Sequence, residues 1–86
     1  PSEVMAGFYT VALALESPNP KNIRFVDLIK VCKQYFGEPR QTGGSHTVFK
    51  TPWQGDPRIN LQDDGGKAKP YQVKQVLAAL DKLNVL

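Results

Sequence analysis

Apolar and polar positions along the chain predict two amphipathic helices that flank a run of short strands. From Phe25 to Phe36 the apolar residues recur at positions 25, 28, 29, 32, 35 and 36, which is the spacing of one helical face. Gly37 suits a helix C-terminus, and Pro39 prevents the helix from continuing. A second helix is predicted from Pro70 to Leu83, with apolar residues at positions 73, 76, 77, 80 and 83.

Three segments between these helices have the composition and alternation of short strands. They are "PRQT", "SHTVFKT" and "RINLQ", separated by Gly43-Gly44 and by the turn-rich "PWQGDP". The following "DDGGKAK" is interpreted as a loop. The order helix, three strands, helix predicts an α+β fold in which an antiparallel sheet carries both helices on one face. The other face is left to solvent or to a partner.

The N-terminal arm has a weaker pattern. In "GFYTVALALE" larger apolar side chains alternate with threonine and alanine, which is compatible with an added strand, although the alanines and leucines also allow a helix. The next segment, "ESPNPKN", has the proline and asparagine content of a turn or linker. We therefore expect an arm and linker at residues 1–23 and a main domain at residues 24–86.

Length and cysteine content restrict the class of protein. The 86 residues suffice for one small domain with a marginal core. A single cysteine, Cys32, rules out an internal disulfide and fits a reducing compartment. With one cysteine and one histidine the chain also lacks the four ligands of a structural zinc site. No apolar run approaches the ~20 residues of a membrane span, and the apolar residues 5–15 lack the basic start of a signal peptide.

Charge is distributed unevenly along the chain. The net charge is +3, and from Arg24 onward ten basic residues face six acidic ones. Three of the basic residues, Lys67, Lys69 and Lys74, surround the start of the last helix, where backbone N–H groups favour anions such as phosphate. This pattern suits a polyanionic partner. The alternative is a set of solvated surface lysines that only keep the protein soluble.

The single histidine, His46, follows Gly44-Ser45 at the start of a predicted strand. An imidazole exchanges a proton near neutral pH, so a histidine at the rim of a sheet is a candidate acid or base. The alternative is a partly exposed strand residue with no role. If Phe49 faces the core, His46 lies on the open face of the sheet; if Val48 does, His46 points the other way.

Two further candidate groups are weaker. Trp53 and Tyr71 either stack on unpaired bases or cover the edge of a small core. Asp63-Asp64 alone is a poor metal site, because no further oxygen ligands accompany the pair. We therefore predict neither a metal nor another cofactor.

Four segments in this order resemble the HicA family of bacterial toxins: "FVDLIKVCKQYFG", "RQTGGSHTVFKTP", "RINLQ" and "GGKAKPYQVKQVLAALDKL". They cover about Phe25 to Leu83, and the family's Gly-Ser-His signature falls on Gly44-Ser45-His46. The resemblance implies a double-stranded-RNA-binding-domain-like fold and an mRNA-cleaving toxin of the bacterial cytoplasm, inhibited by a HicB-type antitoxin. The arm at residues 1–23 lies outside the usual short domain, and Asp63–Gly66 lengthen the loop before the last helix.

By this resemblance His46 is the catalytic residue of a metal-independent endoribonuclease. The RNA 2′-OH would attack the adjacent phosphate, with His46 acting as general base or general acid. We expect Lys50, Lys67 and Lys69 to stabilise the phosphate, Lys74 to bind RNA, and Ser45 to orient the histidine or the phosphate. Two other functions stay open: an RNA-binding module of the same fold that does not cut, and a domain that docks a protein partner.

Overall fold

The computed structural model describes residues 2–16, 20–42, 46–55 and 57–85, which form three helices and a four-stranded antiparallel sheet. In chain order these elements are α1 (Ser2–Leu15), α2 (Phe25–Phe36), β1 (Arg40–Thr42), β2 (His46–Lys50), β3 (Arg58–Asp64), β4 (Lys67–Ala68) and α3 (Pro70–Lys82). The strand order is β1-β2-β3-β4, so neighbours in sequence are neighbours in the sheet. The predicted α+β class is confirmed.

Helices α2 and α3 lie where the apolar spacing predicts them. Arg24 precedes α2 and places its Nε 2.8 Å from Oδ2 of Asp27 in the first turn. The hydrogen bond from this guanidinium lowers the pKa of the Asp27 carboxyl. Gly37 ends the helix with a φ of 84°, a conformation that glycine adopts without strain, and its N–H donates to the Lys33 carbonyl. Pro70 occupies the first turn of α3.

The core lies between one face of the sheet and the two helices. Thr47 and Phe49 of β2 are buried, whereas His46 and Lys50 are exposed, so β2 alternates as a half-buried strand does. The core cluster joins Phe49, Ile59 and Leu61 of the sheet to Leu28, Val31 and Cys32 of α2 and to Val73, Val76 and Leu80 of α3. Both helices therefore cover the same face, as predicted, and the opposite face is open. Burial raises the pKa of the Cys32 thiol to about 12.

Of the two conformations that the sequence of the N-terminal arm allows, the arm adopts the helix and does not add a strand to the sheet. Thr10 and Ala14, four residues apart on one side of α1, are buried, and Val11 and Leu13 pack against the core cluster. The helix packs on α2 and α3 instead of on a strand. Among the described residues no helix combines the length and apolar character needed to cross a membrane.

The segment interpreted as a loop contains the short strand β4. Gly65 and Gly66 connect β3 to β4 with φ values of 62° and 89°, and Asp64 pairs with Lys67 across this two-residue turn. Positive φ at both positions is typical of a type I′ hairpin turn, which glycine favours. On its other side β4 is held by the segment before α2, because the Ala68 N–H donates to the Ile23 carbonyl at 2.8 Å. The approach to α3 is thus bonded on both sides.

Candidate functional site

The open face of the sheet carries a row of polar and basic side chains. Alternation places even-numbered residues of β2 and β3 on this face, because the odd-numbered Phe49, Ile59 and Leu61 are in the core. The strand register aligns them in pairs. The pairs on β2 and β3 are His46 with Gln62, Val48 with Asn60, and Lys50 with Arg58; Arg40 of β1 lies beside Val48.

His46 and Gln62 form the pair at one end of this face. The backbone N–H of Gln62 donates to Oε1 of Gln72 at 3.0 Å, so it points away from β2. The pair is therefore one without mutual backbone hydrogen bonds, and such pairs bring their Cα atoms to about 4.5 Å and their side chains close together. His46 is exposed, and its side chain and that of Gln62 are on the same, open face of the sheet.

Lys69 brings a positive charge to the same place. Its Nζ donates to Oε1 of Gln62 at 3.0 Å. Ala68 points into the core, so its extended neighbours Lys67 and Lys69 both face the open side. His46, Gln62 and Lys69 thus occupy adjacent positions, which we call the His46 row. An imidazole and an ammonium group on the same face of a sheet can together move a proton and bind a phosphate.

Gln72 links α3 to the strand that carries Gln62 of the His46 row. It lies in the first turn of α3, is 5 % exposed, and accepts the Gln62 N–H where β4 no longer covers the edge of β3. The side-chain amide therefore replaces a strand partner at this point of the edge. Its Nε2 also donates, at 3.4 Å, to the hydroxyl of Tyr71. A buried amide with both ends bonded fixes the position of strand and helix relative to each other.

A second basic group lies at the other end of β2. Lys50 and Arg58 are directly opposite each other, and the Arg58 carbonyl points away from β2 to accept from Gln75 Nε2 at 3.4 Å. Such an arrangement is suited to an anion that bridges the two charges. Within the described strands the open face thus has basic groups at both of its ends.

The predicted site residues have different positions. His46, Lys50, Lys67 and Lys69 share the open face, and Lys67 is paired with Asp64. Lys74 lies on the exposed side of α3, and none of the described contacts connects it with the His46 row. Ser45 falls outside the described residues.

The weaker candidate groups can also be placed. Asp63 accepts the Gly66 N–H at 2.7 Å, so its carboxylate stabilises the β3–β4 turn. In the part of the chain that the structure describes, no three His, Cys, Asp or Glu side chains come together as metal ligands would. Trp53 is half-buried against the core, as expected if it covers the edge of the core. Tyr71 is 64 % exposed, so the prediction that it covers the core edge is wrong.

Sequence reasoning missed three contributors to this site: Gln62, Gln72 and Arg58. Gln62 lies on the polar side of the alternating segment "RINLQ", but nothing in the sequence shows that it pairs with His46, because this depends on the register of β2 and β3. Gln72 looks like an ordinary helical glutamine. The position of Arg58 on the open face was predictable, since Arg58 alternates with the apolar Ile59 and Leu61 along this strand.

Comparison of the chain with protein-family models, with curated proteins and with solved structures finds no match in any of the three. The resemblance to HicA toxins therefore stays a prediction that rests on the quoted segments.

Proposed function

We propose that the protein is a metal-independent endoribonuclease whose reacting phosphate binds at the His46 row. The observation that carries the proposal is the placement of the single histidine on an open, basic sheet face, where its cross-strand partner Gln62 accepts a hydrogen bond from Lys69. RNA supplies its own nucleophile, so the protein needs only to move protons and to stabilise charge on phosphate oxygens. An exposed imidazole and a lysine are suited to these two tasks.

In the proposed reaction the 2′-oxygen attacks the adjacent phosphorus, and the bond to the 5′-oxygen breaks. The products are a 2′,3′-cyclic phosphate and a free 5′-hydroxyl. His46 either removes the proton of the 2′-OH or protonates the leaving 5′-oxygen; water takes the other role. Lys69 stabilises the negative charge that develops on the non-bridging oxygens, and Lys67 and Lys50 hold neighbouring phosphates. Ser45 and Lys74 are further candidates for contacts with RNA.

We further propose that the chain is a HicA-type toxin of a toxin–antitoxin pair, inhibited by a HicB-type antitoxin in the bacterial cytoplasm. The quoted segments support this, as does the order of α2, the strands β1 to β3 with the short β4 added, and α3, with both helices on one face of the sheet. The same order supports a double-stranded-RNA-binding-domain-like fold. On this proposal, expression of the parent protein arrests bacterial growth, and expression of His46→Gln does not.

The deciding experiment measures cleavage of single-stranded RNA in EDTA by the parent protein and by His46→Gln. We expect the variant to lose about 10²–10⁴-fold in rate, the contribution of a positioned acid or base. Lys69→Gln should lose about tenfold or more, because one stabilising charge is removed. Lys33→Gln is the matched control, since Lys33 is an exposed lysine in the last turn of α2. The same oligonucleotide with 2′-deoxy sugars should stay intact.

Three results would count against the proposal. Cleavage of the 2′-deoxy oligonucleotide would exclude 2′-OH attack. Equal rates for the parent and a folded His46→Gln variant would remove the histidine from the chemistry. Binding of RNA that weakens with salt, without cleavage by either protein, would instead favour the non-cutting RNA-binding module.

The role of His46 can be assigned with a substrate that has sulfur in place of the leaving 5′-oxygen. A thiolate leaves without protonation, so this substrate does not need a general acid. If His46 is the acid, His46→Gln cleaves the sulfur substrate nearly as fast as the parent does. If His46 is the base, the variant is equally impaired on both substrates.

A further inference from the structure

A pocket of about 220 Å³ opens between the start of β3 and the second half of α3. Its walls are mainly apolar and include Trp53, Ile59 and Ala79, with Gln75, Arg58 and Lys82 contributing polar groups. An apolar cavity of about 150 Å³ is large enough to bind benzene. This pocket therefore has room for one planar ring system somewhat larger than benzene.

Two side chains contact the Trp53 ring at this pocket. The ring of Phe36 meets it edge-on, with 6.3 Å between centroids and an interplanar angle of 66°. The ammonium group of Lys82 lies 4.4 Å from the centre of the Trp53 ring. An indole ordered by these contacts loses little further freedom when a second ring stacks on the face opposite Lys82, which favours binding.

Two basic residues line the pocket, Arg58 and Lys82. Arg58 also stands opposite Lys50 in the strand register, although Lys50 itself is not part of the pocket. Two cations thus lie at the edge of a mainly apolar space. A ligand that fits has an aromatic ring and carries negative charge beside it, as a nucleotide does. The strand β2 puts Lys50 four residues from His46, a distance of about 13 Å at 3.3–3.4 Å per residue.

We propose that this pocket binds a single nucleobase of the RNA strand whose scissile phosphate lies at the His46 row. The inference rests on the proposed ribonuclease function and adds a subsite to it. The base stacks on Trp53, and the phosphate beside it lies near the two basic lining residues, Arg58 and Lys82. The pocket then sets which bases are preferred at that nucleotide, since Gln75 offers an amide to the edge of the base.

The experiment uses tryptophan fluorescence, because Trp53 is the only tryptophan in the chain. His46→Gln serves as the protein, so that the RNA stays uncut. Short single-stranded RNA should quench the emission of Trp53. An abasic oligonucleotide of the same length keeps the phosphates and lacks the bases, so it should bind without quenching. Free nucleoside monophosphates at high concentration should quench as well, and rank the bases by preference.

Two substitutions test the pocket in the same background. Trp53→Leu should weaken binding of labelled RNA by about five- to 150-fold, the range reported for loss of one base–aromatic stack. Tyr9→Leu is the matched control, because Tyr9 is an exposed aromatic residue on α1 outside the pocket. Lys82→Gln leaves the indole in place. It should lower the affinity for RNA and make that affinity less sensitive to salt concentration. Circular dichroism and urea unfolding check that each variant is folded.

Failure of this inference can be distinguished from failure of the proposed function. If the parent cleaves RNA but RNA does not quench Trp53, the pocket is not a base subsite and the ribonuclease stands. If the parent neither binds nor cleaves RNA, both proposals fall. Equal quenching by the abasic and the normal strand overturns base stacking. Quenching by a purified antitoxin alone, with none by RNA, assigns the pocket to a protein partner and overturns the inference.

Discussion

Replacement of Gln72 by leucine tests whether its amide completes the edge of the sheet. The buried Oε1 accepts the Gln62 N–H at 3.0 Å, and leucine has no acceptor to offer. Glutamine and leucine have similar helix propensities, so the helix itself is little affected. The cost is then mainly that of the backbone N–H that loses this acceptor, about 1–3 kcal/mol for a fully buried group. Because Gln62 is only partly buried, we expect about 1–2 kcal/mol.

Gln75 provides a matched control on the same helix. Its Nε2 donates to the Arg58 carbonyl on the same edge of β3, but at 3.4 Å and in an exposed position. Water can replace this bond, so Gln75→Leu should change the free energy of unfolding by less than about 0.5 kcal/mol. Both substitutions replace glutamine by leucine on α3 and remove a hydrogen bond to the backbone of β3. They differ in the burial and in the length of the bond that is lost.

Urea unfolding followed by circular dichroism measures both variants. A loss of 1–2 kcal/mol corresponds to a decrease in Tm of about 4–16 °C for a domain of this size. Hydrogen exchange of the Gln62 amide, measured by NMR, should be slow in the parent protein and fast in Gln72→Leu only. Equal destabilisation by the two substitutions, or an unchanged exchange rate at Gln62, would refute the reasoning.

Three further predictions concern pH, charge and the first helix. Burial raises the pKa of the Cys32 thiol from an ordinary 9.0 to about 12 in the folded protein. The contribution of the neutral thiol to the free energy of unfolding is therefore full below pH 9 and decreases by up to about 1.4 kcal/mol per pH unit as the pH rises towards 12. Urea unfolding at increasing pH should show a shallower decrease in the free energy of unfolding for Cys32→Ala than for the parent. Lys50→Glu should weaken RNA binding, because it replaces an exposed cation of the open face with an anion; a folded variant with unchanged affinity would contradict the role of Lys50. Ala14→Leu should cost about 1–3 kcal/mol through overpacking of the buried face of α1, whereas Ala12→Leu on the exposed side should be nearly neutral in the same assay.

The helices α2 and α3 and the strands β1 to β3 were predictable because each has a local signal that agrees with its tertiary surroundings. Six apolar positions and Gly37 define α2, and Phe49 with its exposed neighbours defines the faces of β2. Turn residues separate the three strands. In these segments the hydrophobic pattern and the backbone preference favour the same conformation.

The first helix and the last strand lacked such a signal. In α1 the alternation of alanine with larger residues fits a strand and a helix equally, and packing of Thr10 and Ala14 on the core decides the outcome. The two residues of β4 are too few for any periodicity. The Gly65-Gly66 pair between a polar strand end and Lys67 is a hairpin signal that, given more weight, predicts this strand.

The sequence predicts which residue types form the candidate site, but it does not predict how they are arranged in space. His46 and the lysines stand out by composition, whereas the contact between Lys69 and Gln62 depends on a register set by both hairpins. A shift of one residue in either hairpin would turn these side chains to the other face. The placement of the His46 row is therefore a property of the folded sheet.

The bonding of the sheet edges also has a consequence for self-association. The segment at Ile23 and Arg24 covers the outer side of β4, and glutamine side chains of α3 bond to β3 beyond it. The opposite edge is β1, which has three residues and includes the exposed Arg40. A foreign strand added there could pair over only about 10 Å. Because short, charged edges resist strand addition, the protein should tolerate high concentration without forming β-aggregates.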